Sequence, residues 1–165
     1  MKNVFRSLQR HLAIILALAL GLVFCRPLAA EPEQSTLAEA VTTRALQYIG
    51  VPYRFGGNNP QSGFDCSGLV THVYRETLGI ILPRTSRQLA TIGESVSIED
   101  LRPGDLVFFN TRGAPNSHVG TYLGDSRFIH APRARSLVRI DRLDDPAYRD
   151  RFEGARRPLR PLRMG

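Results

Sequence analysis

Apolar positions beyond residue 35 recur first at helical and later at strand spacing. Leu37, Val41, Ala45, Leu46 and Ile49 follow Ser35 and Thr36, either of which can cap a helix, and Gly50 and Pro52 end it. Residues 53–63 contain Gly56, Gly57, Asn58, Asn59, Pro60 and Gly63, the composition of a loop. A second helix is expected over 66–78, capped by Asp65, closed by Gly79, and carrying the stripe Leu69, Val70, Val73, Tyr74 and Leu78. A shorter helix over 86–92 precedes a polar turn through Asp100. From there the period changes, and 105–110, 119–123, 127–131 and 137–140 read as strands rich in β-branched and aromatic residues. Gly124 and Asp125 supply a tight turn between the second and third strands, so an antiparallel meander is expected. Asp145 and Pro146 start a last helix to Phe152, and 156–162 reads as an edge strand or tail whose prolines argue against a central strand. Helices first and sheet afterwards define an α+β fold.

Length and composition narrow the classes. The 165 residues, 42% apolar and 22% charged, suit one globular domain, and no internal repeat or low-complexity stretch appears. Residues 1–30 read as an export signal: Lys2, Arg6 and Arg10 precede an apolar run over 12–24 that is too short to span a bilayer as a helix. Ala29 and Ala30 suit cleavage there, leaving a domain over 31–165 in the periplasm or cell envelope. Lipidation of Cys25 is a lesser alternative, because bulky Phe24 stands where a small residue is needed. The net charge of +7 overstates any affinity for nucleic acid. Eleven of the arginines fall between Arg127 and Arg163, a distribution read as a solvated basic face, and no nucleic-acid partner is expected.

Cleavage leaves one cysteine, Cys66, in a compartment that oxidises thiols, and two cysteines in the whole chain build neither a disulfide scaffold nor a zinc module. Asp65, Cys66, Ser67 and Gly68 place the thiol at a helix N-terminus, which is expected to lower its pKa. Of the remaining histidines, His72 lies too far along the same helix to meet the sulfur and reads as a surface or packing residue. His118 opens one expected strand and His130 closes the next, so the turn at Gly124 brings them side by side. One can take the proton while the other orients it.

Tyr53, Arg54, Phe55, Gly56 and Gly57, followed by the run from Phe64 to Val70 around Cys66, resemble the first signature of the NlpC family of bacterial cell-wall cysteine peptidases. The runs from Pro103 to Phe109 and from Ser117 to Gly124 resemble the second, and Phe128, Ile129, His130 and Ala131 the third; Leu82, Pro83 and Arg84 lie between the first two. The resemblance implies a papain-like domain in which Cys66 attacks an amide, His118 is base and then acid, and His130 orients His118. It implies hydrolysis in peptidoglycan stem peptides, commonly between γ-D-glutamate and meso-diaminopimelate, or in crosslinks. Tyr53 would help bind the oxyanion beside the Cys66 amide. Asp65 is a helix cap or a binder of a substrate amine, and Ser67 stands in the same turn. Arg84 and Ser86 would face substrate carboxylates or amides, or else the surface. Residues 132–136 lack the glycine often found after the third signature and add Arg133 and Arg135 beside the site.

No cofactor or metal is called for, although one cysteine and two histidines could in principle hold zinc. A catalytically silent wall-binding module and a thiol-dependent acyltransferase share the fold or the nucleophile and stand as alternatives. Peptidoglycan is the expected partner, with an adaptor or regulatory protein possible and a monomer the default.

Overall fold

The computed structural model describes residues 32–158, so the expected export signal and Cys25 lie outside the described residues. Helix α1 (Pro32–Leu46) begins ahead of Ser35 and Thr36, so neither is its cap. Val41 and Ala45 are buried, whereas Leu46 and Ile49 are exposed. The helix stops at Leu46 and the chain turns toward Gly50 at φ +87°, so the helical periodicity that would have brought Ile49 inward is lost. The segment read as a loop contains a small antiparallel hairpin, β1 (Asn58–Asn59) with β2 (Gly63–Phe64).

Helix α2 (Cys66–Leu78) has the expected bounds and buried stripe. The Asp65 side chain accepts from the Gly68 N–H, and Gly79 closes the helix in the left-handed region, its N–H donating to Arg75 O. His72 is a packing residue, hydrogen-bonded to the Tyr48 hydroxyl at 2.9 Å within a ring cluster that includes Phe64. Helix α3 (Ser86–Leu89) is shorter than expected, started by a Thr85–Gln88 capping box.

A six-stranded antiparallel sheet follows: β3 (Glu94–Val96), β4 (Leu106–Phe109), β5 (His118–Gly124), β6 (Arg127–His130), β7 (Arg139–Arg142) and β8 (Phe152–Arg157), in the order β3-β8-β4-β5-β6-β7. The run β4 to β7 is the expected meander. β3 falls where a polar turn was expected, and β8 takes an interior place rather than an edge. The prolines argue only against positions from 158 onward, and β8 ends at Arg157, so its ladder to β4 stays intact. Helix α4 (Pro146–Arg149) is a single turn capped by Asp145, not a helix to Phe152.

β4 is buried on both faces. Leu106 and Phe108 join the core beneath α1 and α2, while Val107 and Phe109 join a second cluster with Phe128, Leu143 and Ala155. At the start of β4, Asp105 is 1% exposed and takes the Arg157 guanidinium at 2.8 and 2.7 Å, and the Tyr74 hydroxyl donates to Gly104 O at 2.6 Å. This corner ties α2, β4 and β8 together. Replacing Asp105 by Ala leaves Arg157 without its carboxylate in a largely dry corner, and should lower the unfolding free energy by about 3 kcal/mol in urea denaturation.

Candidate active site

Cys66 is 5% exposed in the first turn of α2, and the backbone amides of Val119 and Ser67 act on its sulfur in the direction of the thiolate. The turn before it is braced by Asp65. One carboxylate oxygen accepts from the Gly68 N–H at 2.7 Å and the Ser67 hydroxyl at 3.2 Å; the other accepts from the Gly56 N–H at 3.0 Å. The Arg84 guanidinium forks onto both oxygens at 2.9 and 2.8 Å, and also donates to Ser67 Oγ and to Gly57 O. Gly68 has to be glycine here, because a Cβ would stand 2.0 Å from Gly57 O. The helix start is thus pressed directly onto the 54–57 turn.

His118 opens β5, one residue before Val119, whose amide favours the thiolate of Cys66. Its Nε2 lies 2.7 Å from His130 Nδ1 on β6, and His130 Nε2 lies 2.9 Å from Asp141 Oδ2 on β7. Gly120 makes this possible, since a Cβ there would meet a Phe128 ring carbon at 2.6 Å and crowd His130. Asp141 also accepts from the Tyr148 hydroxyl at 2.7 Å and from Arg139. A carboxylate only accepts, so His130 Nε2 carries a proton, His130 Nδ1 accepts, and His118 Nε2 donates. What remains is the lone pair on His118 Nδ1, which is buried and has no hydrogen-bond partner among the described residues.

Burial sets the charge state of the site. It pushes His118 down to about 3, helped by His130 and Arg112 and opposed by Asp141. His130 is also lowered, chiefly by burial and against the pull of Asp141. For Asp141 burial works against ionisation, but the bonds from His130, Arg139 and Tyr148 outweigh it and hold the carboxyl below its usual range. The thiol departs from the sequence expectation: burial and Asp65 push it up, against the Val119 and Ser67 amides and Arg112, so the resting pair is a thiol and a neutral imidazole. Among the described residues no three His, Cys, Asp or Glu side chains are grouped to hold a metal ion.

A cavity of about 510 Å³ opens on the cysteine side, lined by Tyr53, Asp65, Cys66, Ser67, Arg84 and Ser86 among others. All five residues that the resemblance offered for substrate or oxyanion therefore share one wall. Their polar atoms are not equally free. Asp65, Ser67 and Arg84 bind one another, so the carboxylate and guanidinium read as candidates for substrate contact brace the nucleophile turn. Tyr53 accepts a hydrogen bond from Arg112 Nη2 at 2.9 Å, which leaves its own proton available. Asp141, Tyr148 and Arg112 were missed by sequence reasoning. For Asp141 a signal exists, because strand alternation on β7 sets it on the face that carries His130 on β6.

Comparison with known proteins agrees with this geometry. The family model described as NlpC/P60 family matches residues 50–157. The chain is 44% identical over 133 residues to the gamma-DL-glutamyl hydrolase of Bacillus subtilis (strain 168), covering 80% of this chain and 32% of that protein. It is 40% identical over 121 residues to the murein DD-endopeptidase MepH of Escherichia coli (strain K12), covering 72% of this chain and 45% of that one. It thus spans half or less of the length of these relatives. The crystal structure of an NlpC/P60 family protein from Bacillus cereus ATCC 10987 superposes with a TM-score of 0.70 at 37% identity, over 74% of this chain and 40% of that one. A papain-like α+β fold with the cysteine helix set against the histidine strands, matched by model, sequence and structure alike, makes this chain a member of the NlpC/P60 family.

Proposed function

We propose that the protein is a cysteine endopeptidase that hydrolyses amide bonds in peptidoglycan stem peptides or their crosslinks. The observation that carries this reading is the directed chain Asp141–His130–His118, which ends in an unpartnered nitrogen on β5, the strand that packs against the cysteine helix. Sγ attacks the amide carbonyl while His118 Nδ1 takes the thiol proton, and the imidazolium that forms is stabilised through His130 by the Asp141 carboxylate. The Cys66 N–H and the free Tyr53 proton are the donors for the oxyanion. His118 returns the proton to the leaving nitrogen as the C–N bond breaks, and a water deprotonated by His118 then releases the thioester. The relatives named for glutamyl and murein hydrolysis support the substrate class. The apolar run over 12–24 supports export, with action in the cell envelope.

Cys66→Ala should keep the fold and abolish products when purified peptidoglycan and soluble stem peptides are digested and read by mass spectrometry. His118→Ala should do nearly the same, and His130→Ala should lose less. Full turnover in Cys66→Ala would sink the mechanism, and wall binding without Cys66-dependent products would favour the silent module.

Asp141→Asn removes the fixed acceptor that sets both tautomers. It should lower kcat by up to about 10,000-fold with KM little changed, because an amide no longer enforces the tautomer of the histidine it orients. A variant that raises KM alone would contradict the positioning role.

Stability should fall on acidification. An unfolded histidine binds its proton near 6.5, while folded His118 resists it down to about 3. Between these values the unfolded chain binds more protons, so acid favours unfolding through that window. Tm should therefore decline from pH 6.5 toward pH 3, and the decline should be shallower in His118→Gln.

A further inference from the structure

A second cavity, about 480 Å³, lies against the other catalytic side chain. His118 and Asp141 are in its wall together with Arg112, Arg133, Arg139 and Arg151. The cavity described above contains Cys66 but not His118, and this one contains His118 but not Cys66. Arg112 lines both.

This division has a chemical meaning that rests on the peptidase reading. After attack the acyl half of the substrate stays on sulfur, whereas the leaving nitrogen must reach the proton on His118. The acyl half therefore belongs in the Cys66 cavity and the leaving half in the His118 cavity. The charges of the second cavity are unbalanced. Of its two carboxylates, Asp141 is engaged by His130, Arg139 and Tyr148, and Asp145 accepts from the Ala147 N–H at the start of α4. Three guanidiniums face no carboxylate: Arg112 donates to the Tyr53 hydroxyl, Arg151 donates to Ala147 O, and the Arg133 side chain has no partner among the described residues. Guanidinium forks match carboxylates in shape and charge.

We propose that this arginine-lined cavity is the leaving-group subsite and that it selects substrates whose leaving half carries free carboxylates, with Arg133 and Arg151 as the principal contacts. The ligand is an acidic amino acid or short peptide joined through its amine, which a diamino acid with free carboxylates satisfies and its amidated form does not.

The test uses L-alanyl-γ-D-glutamyl-meso-diaminopimelate with the diaminopimelate carboxylates either free or converted to carboxamides. kcat/KM for each peptide is measured with the wild-type protein, Arg133→Ala, Arg133→Lys and Arg151→Ala, with Arg135→Ala, outside the cavity, as control. Binding of both peptides to Cys66→Ala, with and without Arg133→Ala, is measured by calorimetry. The wild-type protein should prefer the free carboxylates by about tenfold or more, as loss of a charge-assisted hydrogen bond implies. That ratio should shrink toward one in Arg133→Ala or Arg151→Ala, persist in part in Arg133→Lys, and persist fully in Arg135→Ala. A wild-type ratio near one, or a ratio unchanged in both alanine variants, overturns the subsite. If the wild-type protein cleaves neither peptide while Cys66→Ala still binds the free-carboxylate form tenfold better through Arg133, the peptidase reading fails at this bond and the anion site stands. Cleavage of both peptides at equal rates leaves the peptidase and removes the subsite.

Discussion

Two imidazoles buried together impose the constraint on which the site depends. His118 and His130 are 1% and 0% exposed, so neither can carry charge at rest and each ring proton needs an acceptor. A pair of neutral rings has no intrinsic direction, since either could donate to the other. The Asp141 carboxylate breaks that symmetry because it can only accept. It fixes the proton on His130 Nε2, hence the acceptor at His130 Nδ1, hence the donor at His118 Nε2, and so leaves a lone pair on the remaining nitrogen. Three neighbouring strands must stand in one register for this relay, and Gly120 must stay bare so that the rings can meet.

The cysteine side obeys a separate constraint. The first turn of α2 touches the 54–57 turn backbone to backbone, with Gly68 over Gly57 O, and Asp65 and Arg84 lock that contact with a forked ion pair. Removing water in this way raises the thiol rather than lowering it. The helix N-terminus and the Val119 amide act on the sulfur, yet burial is the larger effect. Nucleophile and base therefore rest neutral, and charge separates only as the carbonyl is attacked. Such a site holds its reactive form in reserve.

The placement of the candidate site residues was legible in the sequence, and that of the residues bonded to them was not. Asp65 as cap, Cys66 behind it and the two histidines at facing strand ends follow from local signals of short range. His72 could be set aside because helical spacing alone places it away from the sulfur. Tyr148 and Arg112 depend on how separate segments pack, and nothing near them in the chain marks them, whereas Asp141 is marked only by the strand alternation that sets it on the face of His130. β8 was misplaced for a related reason. Proline governs only the residues at and beside it, so Pro158 says nothing about Phe152–Arg157, which the Asp105–Arg157 pair draws into the sheet interior. Ile49 failed as a core position because the periodicity was extended past the helix end at Leu46, which is itself exposed.

Arg112 joins the two halves of the site electrostatically. It lies between the cavities, donates to Tyr53, lowers the thiol and lowers His118. A cation in that place favours a thiolate or an oxyanion and disfavours an imidazolium, so in the resting state it adds a little to the burial that keeps the base neutral. When the carbonyl oxygen becomes negative near Tyr53, that new charge offsets the repulsion between Arg112 and the protonated ring. The same guanidinium that discourages proton transfer in the empty site then tolerates it in the tetrahedral intermediate, where the negative charge is present. Stabilisation that appears only with the reacting charge lowers the barrier without deepening the ground state. In the proposed mechanism this one side chain couples protonation of His118 to attack by Cys66, although the two residues line different cavities.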